Sequence, residues 1–309
     1  MKIDISKSRV KPGSKVKLKD MPTKTKVICS SEAEYKDVLQ QHVKELERLH
    51  DLLYGANKYA VLLVLQGMDT AGKDGAVKHV MSGVNPTGCE VTSFKQPSAG
   101  ELEHDFLWRS YARLPRRGTI GIFNRSYYEE VLVVRVHPEL LENQKLPKDS
   151  RGPDVWKRRF REINGWERNL TDNGIKIVKL FLNLSREEQR TRFLRRIDLP
   201  DHNWKFSSAD VREREYWDDY QQAFSEMLTH TSTEWAPWYV IPADRKWFAR
   251  IAAGAVIANT LIDIDPRYPT IDEEARANLK EIKKTLEAQA PPGAAADPFA
   301  DTDSESEKS

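Results

Sequence analysis

The stretch that most constrains the fold is VLLVLQGMDTAGKDG, residues 61 to 75. Ala60 to Leu65 is six apolar residues without interruption. That is too continuous for a half-exposed strand and reads as a central strand of a parallel sheet, buried on both faces. At its end Gly67, four residues and then Gly72-Lys73 reproduce the spacing of a phosphate-binding loop. Three fixed residues are a weak pattern alone; a buried strand before them and a helix after them make it specific. Backbone N–H groups in such a loop converge on an anion, aided by the helix N-terminus. Lys73 adds a point charge at the transferable phosphate. Two residues depart from the pattern. The Ser or Thr that would hold magnesium after the lysine is Asp74, and a second acid, Asp69, lies inside the loop. An acid in a phosphate cradle repels the ligand unless a cation stands between them. Magnesium takes one or two carboxylates plus substrate phosphates, so Asp69 is expected to be the metal anchor. Asp74 is expected to complement the helix dipole.

The rest of the chain alternates strand-like runs with helical periodicities. Residues 31–54 carry Tyr35, Leu39, Val43, Leu46 and Leu53 at helical spacing, opened by Ser31 with Glu34 as a capping box. CEVTSF, GTIGIF, IKIVKLFLNL and WYVIP read as further strands. SAGELEHDFLWRSYARL, DVWKRRFREINGWERNLTDNG, SREEQRTRFLRRI, VREREYWDDYQQAFSEML and RKWFARIAAGAVIANTLI read as helices between them. This order predicts an α/β fold, a parallel sheet with helices on both faces and a ligand at the carboxyl ends of its strands. One domain over residues 31–265 accounts for it. Lysine-rich residues 1–30 read as a basic extension, 266–289 as a helical segment, and the acidic, Pro-rich residues 290–309 as a disordered tail. The net charge of +2 conceals that division. Without the tail the body is more basic, which points to a polyanionic partner. No apolar run reaches the length of a membrane span, and no apolar stretch follows the first lysines as in a secretory signal. The two cysteines, Cys29 and Cys89, have no metal-ligand spacing around them. A reducing cytoplasm, with no membrane partner, is the expected location.

A second strand end carries chemistry. GIFNRSYYEEVLVVRVHP places Asn124 where a nucleotide kinase usually has an aspartate for the magnesium shell, and Arg125 beside it. Asn124 can accept a bond from a metal-bound water but brings no charge. Arg125 is expected to face the same crevice as Lys73. Glu129 stands at capping-box spacing from Ser126, and that alone could explain it. Further on, Arg192, Arg195 and Arg196 crowd into little more than one helical turn, before the polar connection DLPDHNWKFSSAD. Glu188 and Arg192 are i,i+4 partners, so a solvated face is the plain alternative. A lid closing arginines over a transferring phosphoryl group is the sharper one. The number of cations at this edge, Lys73, Arg125 and Arg135 among them, favours the lid.

In order along the chain, GMDTAGKDG, GVNPTG, FNRSYYEEVLVVRVHPE, EEQRTRF, NWKF and EWAPWYVIPAD resemble polyphosphate kinase family 2 over about residues 35–261. The resemblance implies a P-loop kinase-like (thymidylate-kinase-like) fold with a helical lid. FNRS resembles the class III branch, which moves phosphate between inorganic polyphosphate and nucleoside mono- and diphosphates (AMP, ADP, ATP). It implies that Asp69, Lys73, Arg125 and Arg192 are catalytic, with Asp69 on Mg2+ or, alternatively, Mn2+. The phosphates would lie on Gly67, Ala71, Gly72, Lys73, Asp74 and Gly75, and along Arg135, Arg195 and Arg196. Asn124, Glu129 and Glu130 would bind the nucleotide, although members often carry Asp where this chain has Glu130. A homo-oligomer, dimer or tetramer, is implied as well. A polyphosphate rail needs Lys and Arg rather than the aromatic platforms of single-stranded nucleic acid binding, so nucleic acid is not the expected partner. The acceptor phosphate is already an anion at pH 7, so no general base is needed. Two rival readings stand beside this one: an ATP-dependent nucleotide or small-molecule kinase, and a non-catalytic polyanion-binding protein.

Overall fold

The computed structural model of the protein describes residues 4–26 and 29–289. Its strands are β1 (Ala60–Gln66), β2 (Cys89–Ser93), β3 (Ile120–Asn124), β4 (Ile175–Asn183) and β5 (Trp238–Pro242). They form one sheet in the order β2-β3-β1-β4-β5, every neighbouring pair parallel. The helices α1 (Glu32–Ala56), α2 (Lys73–Val80) and α3 (Trp108–Tyr111) come first. Then follow α4 (Val133–Val136), α5 (Glu139–Glu142), α6 (Val155–Asp172) and α7 (Arg186–Asp198). The chain ends with α8 (Ser208–Glu213), α9 (Trp217–Thr231), α10 (Lys246–Ile264) and α11 (Glu273–Ala288). Two compact units result, Met1–Tyr268 and Pro269–Ser309. In the second, α11 is capped by Asp272, whose carboxylate accepts the Ala275 N–H at 2.7 Å. The acidic tail expected at 290–309 lies outside the described residues.

All seven residues of β1 are buried, because successive side chains enter different cores. Leu62 and Val64 pack with Phe123, Phe181 and Trp238 on the side of α6 and α9. Val61, Leu63 and Leu65 pack with Ile122, Leu180 and the apolar residues of α10. By length and composition α10 is apolar enough to cross a membrane, which a search for unbroken apolar runs does not register. Eleven of its residues are buried, as befits a helix packed against α1, α2 and the sheet.

Two expected helices are broken. Over residues 98–114 the Ser98–Glu101 cap forms, but the turn it opens spans only Glu101–Glu103. Asp105 then takes the Leu107 N–H with its own side chain at 2.9 Å, interrupting the helical ladder before α3. The helix expected from 211 to 228 is instead α8, a tight turn at Arg214–Tyr216, and α9. There Arg214 reaches across to α7, donating to Gln189 Oε1 at 2.6 Å.

The basic extension is not separate from the domain. Residues 4–26 form a strap: Val10 N–H bonds Trp238 O at 2.9 Å on the open edge of β5, and Leu18 N–H bonds Ser225 Oγ on α9. Val10 and Leu18 are buried while the neighbouring lysines face out. The strap then crosses the carboxyl ends of β4 and β5. There Asn183 donates to the Met21 and Pro22 carbonyls, and Thr23 Oγ1 donates to Asp244 at 2.9 Å.

Beneath the sheet Lys179 is fully buried and donates to Glu167 (2.7 Å), the Tyr128 hydroxyl (2.8 Å) and Thr231 O (2.7 Å). Tyr127 and Tyr128 both donate to Glu167 Oε1. Burial pulls the Lys179 ammonium down to about 8, despite the carboxylate beside it. This network pins the segment after β3 to β4 and α6. Lys179→Met strands the Glu167 charge and is expected to cost about 3–5 kcal/mol in chemical denaturation; a loss below about 1 kcal/mol would show that the pair does not hold the core together.

Candidate active site at the carboxyl edge of the sheet

The chain leaves β1 between its two neighbours β3 and β4, the position where open α/β sheets bind ligands. Gly67 begins the loop at φ +150°, and a Cβ there would lie 2.8 Å from Leu182 O. The loop ends at Gly72, the left-handed N-cap of α2. Between them Thr70, a β-branched residue, sits at φ +65°. Such a backbone costs on the order of 1–3 kcal/mol and persists only when its surroundings impose it. Lys73 folds back over the turn, donating to Gly67 O at 2.8 Å and Met68 O at 3.3 Å. Burial first, then the Arg125 guanidinium, depresses its pKa. The charge of an incoming anion offsets both effects.

Arg125 follows β3 at φ +61°, and its N–H bonds Leu65 O at the end of β1. Its guanidinium lies 2.7 Å from Asp69 Oδ1 and 3.5 Å from Glu129 Oε2. Glu129 and then, against the burial cost, Asp69 hold Arg125 more firmly protonated than usual. Asn124 donates to Asp74 Oδ1 at 2.6 Å. The strand end expected to face Lys73 therefore does so, and both loop acids are engaged by β3-end residues. Asp69 and Asp74 border the same cleft and offer only oxygen donors, as a hard divalent cation requires. Among the described residues no cluster of three or more His, Cys, Asp or Glu could hold a metal alone. Substrate phosphates would have to complete the shell.

The cleft has a volume of about 550 Å³ and is bordered by eight basic side chains against two acidic ones. Ala71, Gly72, Lys73 and Gly75 line it from the loop; Gly67 lies behind, against β4. Arg195 and Arg196 reach it from α7. Lys95, Lys246 and Arg250 also line it, and the sequence reading missed them. Crowding is severe enough that burial, with Arg192, Arg195 and Arg250 adding to it, lowers the Lys246 pKa. A signal was present: Lys246 and Arg250 stand one turn apart at the start of an apolar helix whose first turn has no acid. Cations there oppose the helix dipole.

Two expected site residues, Arg135 and Arg192, are placed differently. Arg135 points away from the cleft and pairs with Glu226 on α9 at 2.6 Å. On the single turn of α4 its neighbours Val133 and Val134 take the inward face. Arg192 borders the cleft but is buried, and its guanidinium is spent on backbone carbonyls and Glu188 rather than closing over a ligand. Glu130 is buried in a second cavity of about 350 Å³, where burial raises its pKa and Gln144 donates to it at 2.5 Å. Phe94, Phe106 and Tyr127 line that cavity, and it shares Phe94, Lys95 and Arg125 with the cationic cleft.

A family model described as polyphosphate kinase 2 matches residues 29–268. The chain belongs to this family. It is 50% identical over 287 residues to an ADP-polyphosphate phosphotransferase of Rhodopseudomonas palustris, covering 93% of this chain and 99% of that one. It is 41% identical over 266 residues to an AMP/ADP-polyphosphate phosphotransferase of Meiothermus ruber, covering 86% and 96%. The crystal structure of polyphosphate kinase 2 from Arthrobacter aurescens TC1 matches with a TM-score of 0.79 at 36% identity, over 89% of this chain and 95% of that one. The fold is therefore the P-loop kinase-like fold of the polyphosphate kinase 2 family. Its loop admits no side chain at the first glycine: Gly67→Ala is expected to lose about 1–3 kcal/mol of stability. Thermal unfolding beside a Gly100→Ala control, whose Cβ would meet open space, measures it.

Proposed function

We propose that the protein transfers the terminal phosphoryl group of inorganic polyphosphate to a nucleoside diphosphate, and to a monophosphate, with magnesium as the divalent ion. One observation carries the two-site reading: a strongly cationic cleft and a cavity with aromatic walls meet at Arg125. Inorganic polyphosphate has charge but no apolar part, which suits the cleft. A nucleotide has an aromatic base, and Phe94, Phe106 and Tyr127 suit it. The two phosphate ends then face each other beside Lys73 and Arg125.

In the transfer, an oxygen of the acceptor's terminal phosphate attacks the donor's terminal phosphorus. The bridging P–O bond breaks, and the shortened chain leaves with its electron pair. The attacking oxygen is already anionic, so no side chain has to take a proton. Lys73, the loop N–H groups and Arg125 offset the charge that spreads over the transferred group. Asp69 and Asp74 would hold the ion, which supplies charge neutralisation between the phosphates. Arg125 would exchange its carboxylate partner for phosphate oxygens. The reaction joins like to like, phosphoanhydride for phosphoanhydride, so it runs in either direction with concentration.

Chromatography of nucleotides after incubation with long-chain polyphosphate and magnesium tests the donor and the acceptor separately. ATP from ADP, and ADP from AMP, are expected. Lys73→Met should lower turnover at least about a thousandfold. Product from ADP alone would remove the monophosphate; product only when ATP is the donor would overturn the polyphosphate assignment. The rail makes a further claim. Lys246→Ala and Arg250→Ala should each raise KM for long polyphosphate and reduce its dependence on log salt by about one, as the loss of one phosphate contact does. Neither should change KM for ADP; an equal rise in both would place these cations outside the donor path.

A further inference from the structure

The carbonyls of the phosphate loop are held from behind by α7, and this assigns work to two of its residues. An amide that points its N–H at a phosphate must point its carbonyl the other way, into the protein, and a buried carbonyl needs a donor. Lys73 serves Gly67 and Met68. The next three carbonyls are all served by α7. Gln189 Nε2 donates to Asp69 O at 3.1 Å, and Arg192 Nη1 donates to Thr70 O at 2.9 Å and Ala71 O at 3.1 Å. Arg192 Nη2 meanwhile grips Ala243 O at 2.6 Å and Asp244 O at 3.2 Å beyond β5, and its Nε bonds Glu188 at 2.8 Å. Those five bonds use the five N–H donors of the guanidinium. Nothing is left for a phosphate.

From this geometry we infer that Arg192 and Gln189 are positioning residues of the phosphate loop, and that Arg192 in particular imposes the strained left-handed turn at Thr70. The brace is itself anchored. Asp244 Oδ1 accepts the Ser185 N–H at the start of α7, and its Oδ2 accepts the Thr23 hydroxyl of the N-terminal strap. Gln189 is 1% exposed, and its Oε1 is held by Arg214. The loop is thus fastened to β5, to α7 and, through Asp244, to the strap. The assignment rests on the loop being the donor site.

Steady-state kinetics with polyphosphate and ADP over a salt series, on wild type, Arg192→Gln, Thr70→Gly, the double variant and Arg195→Ala, tests it. Misplacing the loop N–H groups should lower kcat of Arg192→Gln about a hundredfold. Loop amides are dipoles and release no counterions, so its log–log salt slope should stay at the wild-type value. Arg195→Ala, which removes an exposed cation, should lose about one unit of slope. Glycine takes the left-handed turn without strain, so Thr70→Gly added to Arg192→Gln should recover about tenfold of the lost turnover. If Arg192→Gln fails to fold, Arg192→Lys carries the same rescue test, since an ammonium cannot span both pairs of carbonyls. A slope reduced by one in Arg192→Gln, or no recovery with Thr70→Gly, would overturn the inference and make Arg192 a phosphate ligand. A wild type inactive with polyphosphate would instead defeat the assignment of the donor.

Discussion

The constraint on which the active edge depends is the opposed geometry of the peptide group. A turn can present several N–H groups to an anion only if the matching carbonyls find donors on its other side. Here those donors are Lys73 on the helix that follows the loop and Gln189 and Arg192 on α7. None of them could act without the sheet. β1 delivers the loop, while β4 and β5 fix where α7 begins, through Ser185 and Asp244. The buried Lys179–Glu167–Tyr128 network does the same for the segment after β3 that carries Arg125. A site that handles charge thus rests on a core in which few charges are tolerated and each has its partners.

Charge is distributed with a purpose that the overall balance of +2 does not reveal. Cations gather along α7 and at the start of α10, where burial and then the neighbouring arginines lower the pKa of Lys246. That crowding destabilises the empty cleft and is relieved by a polyanion. Acids are confined to the loop and to the surroundings of Arg125, whose guanidinium they share. The edge therefore divides into a cationic side and a more apolar side, with Arg125 between them.

Much of this was legible in the residues themselves. The unbroken apolar run Ala60–Leu65, the glycine spacing and the alternation of helices with strands led to the sheet and the loop. The motif set led to the family. What was misread has physical reasons. In the N-terminal strap, Val16 and Leu18 alternate with lysines, so the lysines gave it the look of a basic extension while the alternate apolar residues docked. Arg135 and Arg192 looked alike as arginines near the right strand ends. One turned to Glu226 and the other to five oxygen acceptors, four of them backbone carbonyls, because the neighbouring elements, not their own segments, decided which acceptors lay within reach. Residues 211–228 kept a helical pattern throughout, yet the chain breaks where Arg214 bonds α7.

Local matters follow from the residues alone: which segments can bury both faces, where glycine gives the turn its positive φ, and that Lys73 follows an anion-binding turn. These are settled by side-chain size, period and backbone freedom within a few residues. Tertiary contacts alone decided which cations reach the cleft and which spend their donors on backbone carbonyls. Lys246 and Arg250 reach the cleft from a helix more than 170 residues after the loop. Arg192, beside them, is drawn into the brace. Guanidinium groups are chemically identical wherever they occur in a chain. Their roles are set by the acceptors that folding brings within about 3 Å of them.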